Sequence, residues 1–124
     1  MFSKRKKVIF EKMKDKNIII GPVSANSFGQ ESKGRGQVRG LGLLYLTEKE
    51  IYFGMYVPKK DFHILLDLVH AISTPKWHLD KTKSRRLLKV EFINNEGEVD
   101  SIAWQVKELD LWVSTIENQM KKIS

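Results

Sequence analysis

A single helical period, at the end of a chain that otherwise reads as short strands, constrains the fold most. Leu109, Trp112, Val113, Ile116 and Met120 fall at i, i+3, i+4, i+7 and i+11, which makes one apolar stripe. Glu108 and Asp110 open the stretch and Lys121 and Lys122 close it, the order that a helix macrodipole prefers. A lone amphipathic helix can hide such a stripe only against a sheet. The spacing therefore predicts a helix over 107–121 that packs on the preceding strands, with Trp112 as its plug. At 124 residues the chain is long enough for one domain and no more.

The strands are read from their punctuation. Ile18-Ile19-Ile20 is a β-branched run expected to stop at Gly21-Pro22 and to resume over 23–28. Residues 29–40 read as a loop of glycines, charges and amides. Residues 41–47 and 51–57 are β-rich runs joined by Glu48-Lys49-Glu50, and Pro58-Lys59-Lys60-Asp61 is the next turn. Residues 62–72 are apolar and open to either strand or helix, although Phe62, Ile64, Leu66 and Leu68 alternate as a strand would. Trp77 and Leu79 suggest a short strand. Leu88, Val90 and Phe92 alternate with Lys89 and Glu91, and the chain returns over 99–106 after the turn Asn94-Asn95-Glu96-Gly97. A turn about every ten residues is the rhythm of a β-sandwich or small barrel.

Gly42-Leu43-Leu44-Tyr45-Leu46-Thr47 followed by Ile51-Tyr52-Phe53 resembles the pattern of GRAM-type domains, within the pleckstrin-homology-like superfold. Residues 62–69 are similar to that family's next strand, with Leu65 where the family has proline. Leu87 to Phe92, Gly97, Ala103-Trp104 and Trp112 match its last hairpin and helix. The resemblance covers about residues 18–120. It implies a mainly β fold with a C-terminal α-helix, in which two antiparallel sheets form a barrel capped by that helix. It also implies that basic residues in the loop between the first two strands bind phosphoinositides, and Lys33 and Arg35 sit in the matching loop. The expected organisation is a basic lead-in over 1–16 and the PH-like domain over 17–124, with Trp112, Trp104, Phe92 and Phe53 in the core.

The net charge of +7 is unevenly spread. Residues 1–40 carry all of it, and within the neutral remainder 76–89 is locally +5 while 90–124 is −4. Phosphate-bearing partners are favoured over acidic-substrate chemistry. Three sets of residues are candidates for such contacts. The first is Lys33, Arg35 and Arg39 in the glycine loop 27–42, whose backbone allows close approach. The second is Lys81, Lys83 and Arg85, which share a face if extended. The third is Lys4, Arg5, Lys6, Lys7 and Phe10 in the lead-in. There Phe2, Ile9 and Met13 share a helical face, which reads either as an amphipathic segment on an anionic membrane or as a loose terminus packing Val8 or Phe10.

Enzymatic chemistry finds no support in the sequence. With no cysteine, disulfides and thiolate nucleophiles are excluded. His63, His70 and His78 have neither helical nor zinc-motif spacing. No nucleophile elbow occurs, the carboxylates are scattered, and Gly40-Leu41-Gly42 lacks the third glycine of a dinucleotide cradle. No cofactor is expected. Val8-Ile9-Phe10 is too short for a signal-peptide core, and no stretch reaches the ~18–20 apolar residues of a membrane span. The expectation is a cytoplasmic binding module, peripheral on the inner face of the membrane, that docks on anionic lipid or another phosphate-bearing ligand. The second class is a protein-interaction or homo-oligomeric scaffold that uses Ile18–Ile20 or 52–56 as a sheet edge. Single-stranded nucleic acid ranks below both, because clustered aromatics are lacking.

Overall fold

β1 (Ile18–Gln30) belongs to both halves of the sheet and so determines its shape. The computed structural model describes residues 3–33, 40–78, 81–82 and 86–123. From Ile18 to Ser27 β1 pairs antiparallel with β2 (Gly40–Thr47), and from Ala25 to Gln30 it pairs with β9 (Val99–Val106). β3 (Glu50–Met55) and β4 (Lys60–Leu65) extend one half, while β8 (Leu88–Ile93) and β5 (Val69–Ser73) extend the other. The result is one seven-stranded antiparallel sheet in the order β4-β3-β2-β1-β9-β8-β5. A separate two-stranded ribbon joins β6 (Trp77–His78) to β7 (Lys81–Thr82). Helix α1 (Ser3–Met13) precedes the sheet and α2 (Leu109–Ile123) follows it.

The sheet curls strongly. Phe53 on β3 and Trp104 on β9 have ring centroids 5.8 Å apart. Three strand spacings lie between them, about 14 Å in a flat sheet. Both halves thus face one core, where Leu44, Ile51, Phe53 and Ile64 meet Val69, Leu88, Val90, Phe92, Ile102 and Trp104. Helix α2 closes this core through Trp112 and Ile116, with Leu109, Val113 and Met120 at its margin, so the whole expected stripe faces inward. Trp112, Trp104, Phe92 and Phe53 are all buried. β4 and β5 are the edges of the sheet and are not paired with each other among the described residues.

Several local expectations need correction. Gly21-Pro22 does not end the first strand; β1 runs through it with register shifts between Ile18, Ile20 and Val23. The glycine takes a φ of 107° and a Cβ there would lie 2.6 Å from the Leu44 carbonyl oxygen, while proline has no N–H to leave unpaired. The expected 27–42 loop is shorter, because Ser27 to Gln30 belong to β1, Glu31–Lys33 form a 3₁₀ turn, and β2 begins at Gly40. Residues 62–72 divide into the end of β4, a 3₁₀ turn (Leu66–Leu68) and β5. The last helix begins at Leu109 rather than at 107, since Glu108 takes a left-handed φ of 57° that the helix cannot include.

The lead-in differs most. It is neither loose nor packed through Val8 or Phe10. It forms α1, whose Ile9 and Met13 pack with Leu43, Tyr45, Tyr52 and Tyr56 on the outer face of the β2–β3 hairpin. Gly54 admits the helix, for a Cβ there would meet the Ile9 side chain at 2.6 Å.

Trp112 is 1% exposed, and truncating it leaves a cavity under the helix. Trp112→Ala is expected to lower stability by about 3–5 kcal/mol, measured by chemical denaturation, out of the roughly 5–15 kcal/mol typical of a domain.

Candidate functional site

Helix α1 is not self-sufficient. Eleven residues are marginal for an isolated helix, and a basic first turn without acids opposes the macrodipole. Tertiary contacts hold it. Arg5, expected on the exposed surface, is instead 8% exposed and turned inward. Its Nε donates to the Met55 carbonyl oxygen at 2.9 Å, and its Nη2 donates to the Lys60 carbonyl oxygen at 3.0 Å and to Asp61 Oδ1 at 3.2 Å. These carbonyls flank the β3–β4 turn, and a guanidinium fork satisfies both at once. A membrane-facing Arg5 would lose these three bonds.

Asp61 completes the latch. It also accepts hydrogen bonds from Lys12 Nζ at 2.6 Å and from the Tyr52 hydroxyl. Burial pushes the Asp61 carboxyl up, but the donors Lys12, Tyr52 and Arg5 outweigh it and hold the pKa down to about 2. Burial, the bond to Asp61 and its negative charge all push the Tyr52 hydroxyl well above the usual tyrosine range. Asp61 is therefore ionised at neutral pH, with Tyr52 as a neutral donor.

With Arg5, Ile9 and Met13 facing the sheet, the other side of α1 is set. Lys4, Lys7, Val8, Phe10 and Glu11 point outward, followed by Lys14 in the turn after the helix. Phe10 is 45% exposed and Val8 48%. Lys14 pairs with Glu11 at 2.5 Å, and Lys6 lies 5.9 Å from the centroid of the Tyr56 ring. Beside the helix, Val57, Pro58 and Lys59 form the exposed tip of the β3–β4 turn. The structure thus brings Lys4, Lys6, Lys7 and Phe10 together on one element and takes Arg5 away from them.

A second carboxylate, the buried Asp100, holds the base of the glycine loop. Asp100 accepts from Gln30 Nε2 at 2.6 Å, from the Ser32 N–H at 2.9 Å, from the Ser32 hydroxyl at 2.7 Å and from the Ser101 N–H at 2.8 Å. Burial raises its pKa, but these bonds prevail and hold it below the usual carboxylate range. Asp100 thus pins the base of the loop to the β8–β9 hairpin, and the Ser101 hydroxyl adds a bond to Glu31 at 2.5 Å. Lys33 ends the 3₁₀ turn and Lys81 opens β7, whereas Arg35, Arg39, Lys83 and Arg85 lie outside the described residues. Gly40 and Gly42 serve packing: Cβ atoms there would meet the Met55 side chain at 2.5 Å and the Gly54 carbonyl oxygen at 2.2 Å.

His63 Nδ1 lies 3.0 Å from Glu50, and His70 Nε2 lies 3.4 Å from Glu91. Each is a single cross-strand pair, and among the described residues no group of three metal-ligating side chains occurs. No helix among the described residues is long and apolar enough to cross a membrane. Sequence reasoning missed Asp61 and Asp100 as organising groups; a lone acid in or beside an apolar strand was the available signal.

No family model and no curated protein matches the sequence. The chain is similar in fold to a crystal structure of the C-terminal domain of an unknown protein from Leishmania infantum. The TM-score is 0.61 at 14% identity, over 97% of this chain and 98% of that one. At that identity the likeness shows a shared fold alone.

Asp61→Asn leaves Arg5 and Lys12 without their counter-charge, and is expected to cost about 2–3 kcal/mol. The folded pKa of about 2 lies below the ordinary 3.8. The ionic contribution is therefore complete above about pH 4 and is lost as pH falls through about 2. Acid titration followed by circular dichroism should show this loss in the wild type and not in Asp61→Asn.

Proposed function

We propose that the protein is a non-catalytic docking module that seats on an anionic membrane surface through α1, with a pleckstrin-homology-like, GRAM-type barrel as its scaffold. The barrel reading is supported by the strand order, by β1 shared between both halves of the sheet, and by α2 closing the common core. The docking reading is carried by one observation. The apolar side of α1 is spent on the sheet, and its outward side presents Lys4 and Lys7 with the exposed Phe10.

The mechanism differs from that of a free amphipathic helix. Ile9 and Met13 are buried in protein and cannot enter lipid, and Lys12 is held by Asp61. Charge on a preformed surface then supplies the attraction, at about 1 kcal/mol for each cation near an anionic leaflet. Phe10 adds a shallow apolar contact at the interface. Because the helix is already ordered, little conformational entropy is lost on contact.

Co-sedimentation with anionic and neutral vesicles, at low and moderate salt, tests this. The wild type should bind anionic vesicles only, and less as salt rises. Lys4→Glu combined with Lys7→Glu should weaken binding by about thirtyfold or more, with a melting temperature close to that of the wild type. Equal binding to both vesicle types, or to neither, overturns the reading.

A second reading, as a protein-interaction or homo-oligomeric scaffold, is favoured by the edge of β4, unpaired among the described residues, and by Ile18–Ile20, which pairs with β2 alone, but not by the expected 52–56 edge. Residues 52–55 lie in β3, enclosed by β2 and β4, while Leu65 and Leu68 are exposed beside a groove of about 470 Å³ that Phe62 and Ile93 also line. A strictly monomeric mass by light scattering at high concentration would remove the homo-oligomeric form of this reading.

A further inference from the structure

The turn between β3 and β4 meets the first turns of α1 along a groove of about 450 Å³. Its floor is Val8, Val57 and the Tyr56 ring, and its rim carries Lys4 and Lys59, with the Arg5 side chain behind. The volume is within the range of small-ligand sites, roughly 300–1,000 Å³. Val57 is 68% exposed and Val8 48%, so two aliphatic side chains are left open to water next to each other. No carboxylate lines the groove, and neither Lys4 nor Lys59 has an acidic partner among the described residues. Asp61 lies on the far side of Arg5 and is already occupied by three donors.

This pairing of an aliphatic floor with an uncompensated cationic rim selects an unusual ligand chemistry. A bare anion would satisfy the lysines and leave the valines wet. A neutral apolar molecule would cover the valines and desolvate the lysines without a counter-charge. An amphiphile with a compact anion joined to an aliphatic chain satisfies both. We infer that the groove between α1 and the β3–β4 turn is a site for one anionic phospholipid molecule of the bilayer, its phosphate between Lys4 and Lys59 and its first chain methylenes over Val8 and Val57. The inference rests on the membrane-docking reading and narrows it. Diffuse charge attraction brings the outward face of α1 to the leaflet, and the groove then holds a single lipid.

Monomeric dihexanoyl phosphatidic acid, below its micelle concentration, is the probe. Methyl resonances of Val8 and Val57 are followed by NMR, with dihexanoyl phosphatidylcholine and inorganic phosphate as parallel arms. The expected result is saturable shifts at both valines with the anionic lipid and not with the other two. Val57→Ser combined with Lys59→Ala, both exposed and outside α1, should weaken the lipid about fivefold or more at an unchanged melting temperature. Unshifted valines, shifts equally produced by phosphate alone, or an affinity unaffected by the double variant would each overturn the site. Vesicle sedimentation separates the two readings. Binding to anionic vesicles with unshifted valines overturns the groove and leaves the α1 surface standing. Valine shifts without sedimentation leave the amphiphile site standing and overturn the bilayer as its source.

Discussion

The β2–β3 hairpin is apolar on both faces, and the rest of the molecule is arranged around that constraint. Strand residues alternate between faces, so Leu44, Leu46, Ile51 and Phe53 point one way while Leu43, Tyr45 and Tyr52 point the other. A sheet buried on one side would have polar residues at half of these positions. Each face therefore needs its own cover. The first is covered by the opposite half of the curled sheet and by α2, and the second by α1. Once α1 has that task its rotation is determined, because Arg5, Ile9 and Met13, at intervals of four, form the row that is buried. The outward row of lysines follows from packing.

Two carboxylates, Asp61 at the surface and the buried Asp100, then fix the irregular segments. Asp61 ties the basic helix to the β3–β4 turn through Arg5, Lys12 and Tyr52, and Asp100 ties the base of the glycine loop to the β8–β9 hairpin. Neither site resembles a catalytic pair. In each case the donors outnumber the oxygens and hold the acid ionised, the reverse of what a proton donor near neutrality requires. Charge is used here to hold backbone at the ends of strands. The Arg5 guanidinium meets two carbonyls beside the turn, and Asp100 meets the Ser32 N–H just past the end of β1 and the Ser101 N–H within β9.

Regular elements were legible from sequence because their periods are local. Leu109 to Met120 repeat at the helical interval, and Leu88 to Phe92 alternate, so both elements and their buried faces could be read directly. The helix start was misread because Glu108 adopts a left-handed conformation that composition does not mark. Gly21-Pro22 reads as a stop wherever it occurs, and only its pairing with β2 makes it a bulge within β1. The candidate surface was half legible. The lysines and Phe10 stand out in any reading of the first sixteen residues. That Arg5 alone among its basic neighbours turns inward depends on carbonyls fifty residues away, which no local pattern contains.

The same dependence separates stability from docking on α1. The inward side chains meet the sheet through short-range packing and hydrogen bonds, which salt scarcely affects. The outward lysines act over a distance comparable to the Debye length, about 8–10 Å at moderate ionic strength. A change at Lys4 or Lys7 therefore alters attraction without disturbing the fold, whereas a change at Ile9 or Asp61 releases the helix and with it the whole charged face. Because the helix is latched through the β3–β4 turn, that turn lies against its first residues and carries Val57 and Lys59 there. The contact that orders the helix also builds the groove beside it, so a cation-rimmed aliphatic site arises from the packing of a two-faced hairpin.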